Sequence, residues 1–522
     1  MNQPKKIIIG TRGSQLALWQ AHFTQKNLQD LGFEVALKII KTKGDIITLS
    51  FDKIEGKGFF TKEIEEALLS NEIDLAVHSY KDLPTESPEG LLLAANSYRE
   101  DAADWLLINP NSVDKTKEMS LKLGARVGTS SPRRKAQLLA LRPDLQLIDI
   151  RGNVATRLAK AQTELDAVVL AAAGLRRLEL PLDAYHLEKL VPQRSVPAPA
   201  QGVLAYQIRS NDTYMQQVAA HLHHQTVANC VWVERDILQK LGGGCQQPIG
   251  VYCEQDEQQQ YHVWATRSGA WNEFPNRVYL KGNNKAELTK QASHLLLNRE
   301  PKTVFVSRDI TNNSYLFKAL AAKGHSVVAM SLVNFTPVVF DHTPATDWVF
   351  FSSRNAAHFF FSQNPTLLPN TKIAALGGGT AQTIREMGYA VDFIGHHTDT
   401  EAVAHQFLEV AAVSGNVPTV LFPQAEQSLQ NVQKSLQNKV SAHNLVVYKN
   451  ETRKDFTLST CQILIFTSPL NVQAYCAKYA ILSTQKIIAI GKTTAAELEK
   501  QHCNWYVIPH STDELGLADV CY

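Results

Sequence analysis

Seven cysteines in 522 residues, at positions 230, 245, 253, 461, 476, 503 and 521, form no CxxC pair. They are too few and too irregular for a disulfide framework or a structural zinc site, and they fit a reducing compartment. Charge of one sign is also lacking: the formal net charge is +2, so nothing global calls for nucleic acid or an anionic membrane as partner. No apolar run approaches the roughly 20 residues of a membrane-spanning helix. The opening "MNQPKKIIIGTRGSQLALW" has only three isoleucines before Gly10, which is no signal peptide. A cytoplasmic monomer is therefore expected. There is no Walker loop and no GxGxxG opening a helix; "LGGGTA" at 376–381 lacks the third glycine of a dinucleotide fingerprint. The histidines of "HLHH" (221–224) and "GHH" (395–397) lack cysteine or carboxylate partners at ligand spacing, so no metal is expected.

What is present is the composition of a globular protein, 44% hydrophobic and 20% charged, in a chain long enough for several domains. Short β-rich apolar runs alternate with amphipathic helical stretches, the pattern of α/β folds with mostly parallel sheets. "KKIIIG", "FEVALKIIK", "IDLAVH", "ARVGT", "LQLIDIRG" and "DAVVLA" read as strands, with helices over 15–30, 61–70, 131–141 and 153–163. From about 226 a helix, an apparent hairpin and a helix near 285–298 predict a small α+β domain. Beyond "NREPK" lies an internal repeat. "VFVSRDI" (304) pairs with "VLFPQAE" (420), "FFSSRNAA" (350) with "IFTSPLNV" (465), and "KIAALGGGTA" (372) with "KIIAIGKTTA" (486). The offsets of 116, 115 and 114 predict two similar α/β lobes, and the period is too long for a solenoid.

In open α/β sheets, ligands gather beyond the carboxyl ends of strands, where helix N-termini point their N–H groups. Arg12 and Ser14 follow one predicted strand, and Lys81 and Asp82 another. In "VGTSSPRRKAQL", Ser130 or Ser131 is placed as N-cap and Pro132 at the first helical position, which puts Arg133 and Arg134 in the first turn. Positive charge there opposes the helix dipole at a cost of a few tenths to ~1 kcal/mol, which a bound anion offsets. Residues 126–157 hold six arginines and one lysine against two aspartates, so a ligand with several carboxylates or phosphates is expected. A solvated basic face, with Asp82 as a turn residue and Cys245 as a small core hydrophobe, is the competing reading.

Taken in order, "GTRGSQLALWQ", "GKGFFTKEIE", "DLAVHSYKDLP", "VGTSSPRRKAQL", "IRGNVATRL" and "LGGGCQQPIG" closely resemble the porphobilinogen deaminase (hydroxymethylbilane synthase) family over roughly residues 5–295. The resemblance implies a two-lobed, doubly wound α/β fold of the periplasmic-binding-protein kind. Lobe one would take about 1–98 and 202–220, lobe two about 99–201, and a cofactor-bearing α+β domain about 221–300. It also implies a dipyrromethane cofactor held through a thioether to Cys245, which the enzyme builds from its own substrate. In that chemistry porphobilinogen loses ammonia, and the resulting cationic azafulvene is attacked by the free α-position of the growing chain. Four such steps and water yield hydroxymethylbilane. Asp82 would stabilise the cation and move protons beside the pyrrole N–H groups. Lys81, Ser131, Arg133, Arg134 and Arg157 would bind the cofactor. Arg12, Ser14, Gln20, Arg151, Arg157 and Arg177 would bind substrate. Lys53, Lys57 and Phe60 would belong to a lid, with Phe60 stacked on a pyrrole. The rival is a two-lobed solute-binding module with the same arginine cleft and no chemistry.

The repeated lobes resemble, more diffusely, the uroporphyrinogen III synthase family over about 302–522, through "FFSSRNAA", "ALGGGTA", "VVYKNE", "FTSPLNVQA" and "AIGKTTAAEL". The implied layout is lobe one at about 302–337 and 449–522, and lobe two at about 338–448. The implied reaction closes the tetrapyrrole with inversion of ring D. Tyr448 would be the proton donor, and Ser353, Thr380, Ser468, Thr493 and Thr494 substrate-facing hydroxyls. A non-catalytic, synthase-like partner region is the alternative here.

Overall fold

Apolar strands alternating with helices set the architecture of the protein. The computed structural model describes residues 6–42, 61–244, 247–395, 399–412 and 417–522. They fall into two units: Met1–Ser112 with Gly124–Asn298, and Val113–Leu123 with Arg299–Tyr522.

The first unit contains two five-stranded sheets. One runs in the order Val35–Ile39, Ile7–Thr11, Leu75–Ser79, Val203–Arg209, Leu91–Arg99; the other runs Gln146–Ile148, Arg126–Gly128, Ala167–Ala171, Asp104–Ile108, His186–Leu190. Each is parallel except for one strand, Val203–Arg209 or Asp104–Ile108, which is antiparallel to both its neighbours. The strands Leu91–Arg99, Asp104–Ile108, His186–Leu190 and Val203–Arg209 were not among those read from sequence. They are shared with charged and amide residues that mask the apolar pattern, as in "VLAYQIR". The chain crosses between the sheets twice, and the crossings touch: Glu100 N–H donates to Gly202 C=O at 3.0 Å. Gly202 has φ +88°, and a Cβ there would come within 2.3 Å of Glu100 O, so both conformation and space demand glycine.

The predicted helices appear as Gln15–Asp30, Lys62–Leu69, Pro132–Leu141 and Val154–Thr163. The α+β portion is a three-stranded antiparallel sheet, Ile249–Gln255, Tyr261–Arg267 and Asn276–Gly282, with helices Gln225–Lys240 and Lys285–Leu297.

The second unit shows what the repeat does. The strands Thr303–Val306 and Ser326–Ala329 lie in a parallel sheet with Ile463–Phe466, Lys486–Ala489 and Tyr506–Val507. Trp348–Phe351, Lys372–Ala375 and Phe393–Ile394 lie in the other sheet with Thr419–Ala425 and Ser441–Thr452. Apart from Val333–Pro337, each copy of the repeat therefore gives two strands to one sheet and three to the other, and the chain crosses over and returns. Val333–Pro337 pairs antiparallel with Ser441–Thr452, so both crossing segments are zipped into the second sheet. The crossover thus lies a few residues before the expected boundary at 338, and the return lies after 452 rather than 448. Apolar clusters around Phe305, Phe466 and Tyr475, and around Phe350, Phe407 and Phe422, bind helices to these two sheets. No described helix is long and apolar enough to cross a membrane.

Candidate functional site

The carboxyl ends of the first unit's strands carry several of the residues singled out by sequence, and helix capping sets where Ser14 and Ser131 sit. Ser14 caps the helix Gln15–Asp30, accepting from Ala17 N–H at 3.3 Å. One turn on, buried Gln20 donates to Ser79 Oγ at 2.8 Å, so the helix after one strand is tied to the end of that strand's parallel neighbour. Ser131, not Ser130, is the N-cap of Pro132–Leu141; it accepts from Arg134 N–H at 3.5 Å. Ser130 instead bridges strands, accepting from Ile150 N–H at 2.9 Å and donating to Ile150 C=O at 2.8 Å.

Arg133 and Arg134 are not a solvated basic face. Both are buried and converge on Asp104, a carboxylate closed to solvent at the first residue of the reversed strand. Arg133 Nη1 reaches one oxygen at 2.9 Å and Arg134 Nη2 the other at 2.7 Å. Arg133 also donates to Val196 C=O at 2.9 Å, and Arg134 to Val169 C=O at 3.0 Å. Gln201 Nε2 donates to Asp104 at 3.0 Å, while its Oε1 accepts from Lys81 Nζ at 3.2 Å. Lys81, from one sheet, is thereby linked to the arginines of the other. Burial by itself would raise the Asp104 carboxyl; the two guanidiniums overcome it and hold the group far below the usual carboxylate range. Arg134 Nε is buried with no hydrogen-bond partner among the described residues. Burial, opposed by Asp82 and reinforced by Arg134, pushes the Lys81 ammonium down to about 8. Asp104 and Gln201 carry no signal in the sequence: one of three acids in "EDAADW" and a lone amide in "APAQG" form no periodic pattern or motif.

Asp82 ends a single helical turn, Tyr80–Asp82, directly after the strand Leu75–Ser79, and is exposed. Its charge is felt by Lys81 and by Arg157, whose guanidinium is pushed down by burial and by Arg134. Arg157 Nε donates to Gly152 C=O at 2.7 Å. Arg177 is buried, donates to Gly202 C=O at 2.6 Å at the lobe crossing, and lies 5.6 Å from the Trp19 ring centroid. Arg12 is half-buried and near enough to help depress His78, which burial brings down to about 4. Arg151 is exposed. Cys245, Lys53, Lys57 and Phe60 lie outside the described residues. Of the "HLHH" histidines, His224 caps the helix Gln225–Lys240.

In the second unit Tyr448 is buried on the strand Ser441–Thr452, its ring stacked on Phe359 with centroids 5.2 Å apart. Its hydroxyl lies 3.4 Å from Ser353 Oγ, and burial raises its pKa, so it keeps its proton at neutral pH. Ser353 caps Arg354–Phe361 and, one repeat later, Ser468 caps Pro469–Cys476. Gly377 and Gly491 open the next pair of helices, on which Thr380 and Thr494 are buried and Thr493 is exposed. Ser353, Thr380 and Tyr448 belong to the second sheet and its helices; Ser468, Thr493 and Thr494 belong to the first.

Comparison with known proteins matches these parts separately. The family model "Porphobilinogen deaminase, dipyromethane cofactor binding domain" matches residues 7–217, and "Porphobilinogen deaminase, C-terminal domain" matches 228–266. "Uroporphyrinogen-III synthase HemD" matches 315–519. The porphobilinogen deaminase of Nitratidesulfovibrio vulgaris (strain DP4) is 50% identical over 251 residues, 47% of this chain and 78% of that protein. The porphobilinogen deaminase of Geobacillus sp. (strain WCH70) is 41% identical over 304 residues, 58% of this chain and 96% of that protein.

Proposed function

We propose, from the premise that this chain belongs to the porphobilinogen deaminase family and carries a uroporphyrinogen-III synthase domain after it, that one polypeptide makes hydroxymethylbilane and closes it to uroporphyrinogen III. The first activity condenses four porphobilinogen molecules with release of ammonia. The observation that carries the reading is the buried cluster in which Lys81, Arg133 and Arg134 share the single carboxylate of Asp104 through direct bonds or Gln201.

Arg133 and Arg134 share the one buried carboxylate of Asp104, so positive charge exceeds negative there in a medium where charge is costly. Arg134 Nε, which has no hydrogen-bond partner among the described residues, and the Lys81 ammonium, which burial depresses, would both be favoured by an anion beside them. A dipyrromethane fits: its acetate and propionate arms supply carboxylates to both lobes' cations. When bound, that group offers a pyrrole α-carbon on which the chain can grow. Cys245, by its motif, is the thioether anchor. Lys81, Ser131, Arg133 and Arg134 bind the carboxylates, and Arg157 extends the positive surface toward Asp82. Arg12, Ser14, Gln20, Arg151 and Arg177 line the substrate side, with Lys53, Lys57 and Phe60 assigned to a lid by motif. Two of these have structural duties as well. Ser14 and Ser131 are helix caps whose hydroxyl oxygens already accept a backbone bond, which leaves their protons to donate.

Asp82 is the proton-handling group. Its exposure just after a strand leaves its oxygens open to pyrrole N–H groups. Asp82→Asn should bind porphobilinogen and release ammonia at least ~100-fold more slowly, the usual weight of a positioned acid–base group. A wild-type rate of ammonia release removes Asp82 from the mechanism.

In the second domain, Tyr448 is the proton donor to the departing hydroxyl. The protonated phenol is available at neutral pH, and the Ser353 hydroxyl 3.4 Å away can hold its orientation. Thr380, Ser468, Thr493 and Thr494 are assigned to substrate at the helix starts of the two lobes.

A further inference from the structure

The helix Gln225–Lys240 leads into the glycine segment before residue 245, and two adjacent side chains on it reach other parts of the unit. Glu234 is fully buried and accepts from Ala200 N–H at 2.6 Å and from Cys253 N–H at 2.8 Å. Arg235, itself buried, reaches the turn that carries Asp82. Its Nη1 donates to Tyr80 C=O at 3.4 Å and to Leu83 C=O at 3.3 Å, and its Nη2 donates to Pro84 C=O. Its guanidinium carbon stands 4.6 Å from the Tyr80 ring centroid. Residues 80, 83 and 84 bracket Asp82 on both sides.

Asp82 is exposed, so the backbone beneath it sets where its carboxylate points. One helical turn, closed by Leu83 N–H to Tyr80 C=O at 3.2 Å, is a weak frame for a group that must meet a pyrrole N–H within hydrogen-bond reach. A planar guanidinium spanning three carbonyls and one ring face removes that freedom; an ammonium, a point donor, cannot span them. The Tyr80 ring is also held by an apolar cluster with Val203, Ala200, Val231 and Val227, so the turn stays attached when the guanidinium is replaced.

We infer that Arg235 is a positioning residue. It fixes the Tyr80–Pro84 turn, aims Asp82 at the reacting pyrrole, and ties that turn to the helix that leads to the cofactor anchor. The inference rests on Asp82 being the proton-handling group. A displacement of about 1 Å at such a group can cost ~100-fold in rate without loss of binding.

The test uses the full chain carrying its cofactor, with Arg235→Lys, Asp82→Glu, the double variant and Asp82→Asn. Melting temperature and intact mass check the fold and the cofactor load of each. Arg235→Lys is expected to lower kcat for ammonia release at least tenfold with KM within about threefold. In the Asp82→Glu background, where the carboxylate is already displaced, the same change should cost no more than about twofold, because the two act as one unit. Unchanged kcat in Arg235→Lys, or an equal fold-loss in both backgrounds, overturns the inference. If Asp82→Asn turns over at the wild-type rate, the reading of Asp82 fails first, whatever Arg235 does.

Discussion

Asp104 accepts a 2.7 Å hydrogen bond from Arg134, and neither group is open to solvent except at the edge of the guanidinium. Because Arg133 occupies the other carboxylate oxygen, one charge holds two like charges together. Asp104→Asn keeps the shape and removes that charge. It should lower the free energy of unfolding of the first unit by about 3–5 kcal/mol, the usual cost of stranding a buried ion, read from the urea midpoint. A loss below about 1 kcal/mol contradicts the account. The sign of the acid dependence follows: the folded Asp104 carboxyl lies below its unfolded value, so its contribution is complete above about pH 4 and is lost only as pH falls toward the folded value.

Lys81 supplies a pH dependence of binding. Its ammonium is pushed down to about 8 by burial, and an anion placed beside it raises that value again. In Cys245→Ala protein, which lacks the proposed anchor, the affinity for a dipyrromethane carrying acetate and propionate arms should weaken as pH rises through about 8. The loss should approach tenfold per pH unit above it. Lys81→Arg, which keeps its charge, should remove the dependence. Calorimetry that finds the same flat profile for both proteins contradicts the assignment.

How much of this could be read from sequence depends on whether a signal is local. Arg133 and Arg134 stood out because Pro132 and a serine cap placed them in a first helical turn, where positive charge is disfavoured. Asp104, their partner, lies 30 residues upstream of Arg134 and was invisible, because a pairing between a strand and a helix far apart in the chain leaves no pattern within either segment. The long helices were legible to within a residue or so from periodicity and caps. The reversed strands Asp104–Ile108 and Val203–Arg209 were not read, since their direction is set by the chain crossings near Glu100 and Gly202. The repeat was legible in strands followed by Ser353 or Ser468 and by Gly377 or Gly491, because capping chemistry recurs with the fold. Which sheet each strand joins was not, since strand–turn–helix units look alike in either lobe.

Tyr448 and Ser353 make a prediction for the second domain. Tyr448→Phe removes the hydroxyl and leaves the ring stacked on Phe359, so the melting temperature should change little. Conversion of hydroxymethylbilane to the type III isomer should fall at least ~10-fold while the deaminase rate is unchanged, with the remainder cyclising to type I. An unaltered ratio of type III to type I assigns the proton to another donor.

The central claim is a pyrrole pair tethered to one sulfur within reach of a buried set of cations, and the intact mass of the purified chain tests it most directly. The account predicts a mass above that of the translated polypeptide by two pyrrole units, and the polypeptide mass alone for Cys245→Ala. A wild-type chain that carries no added mass, even after incubation with porphobilinogen, contradicts it.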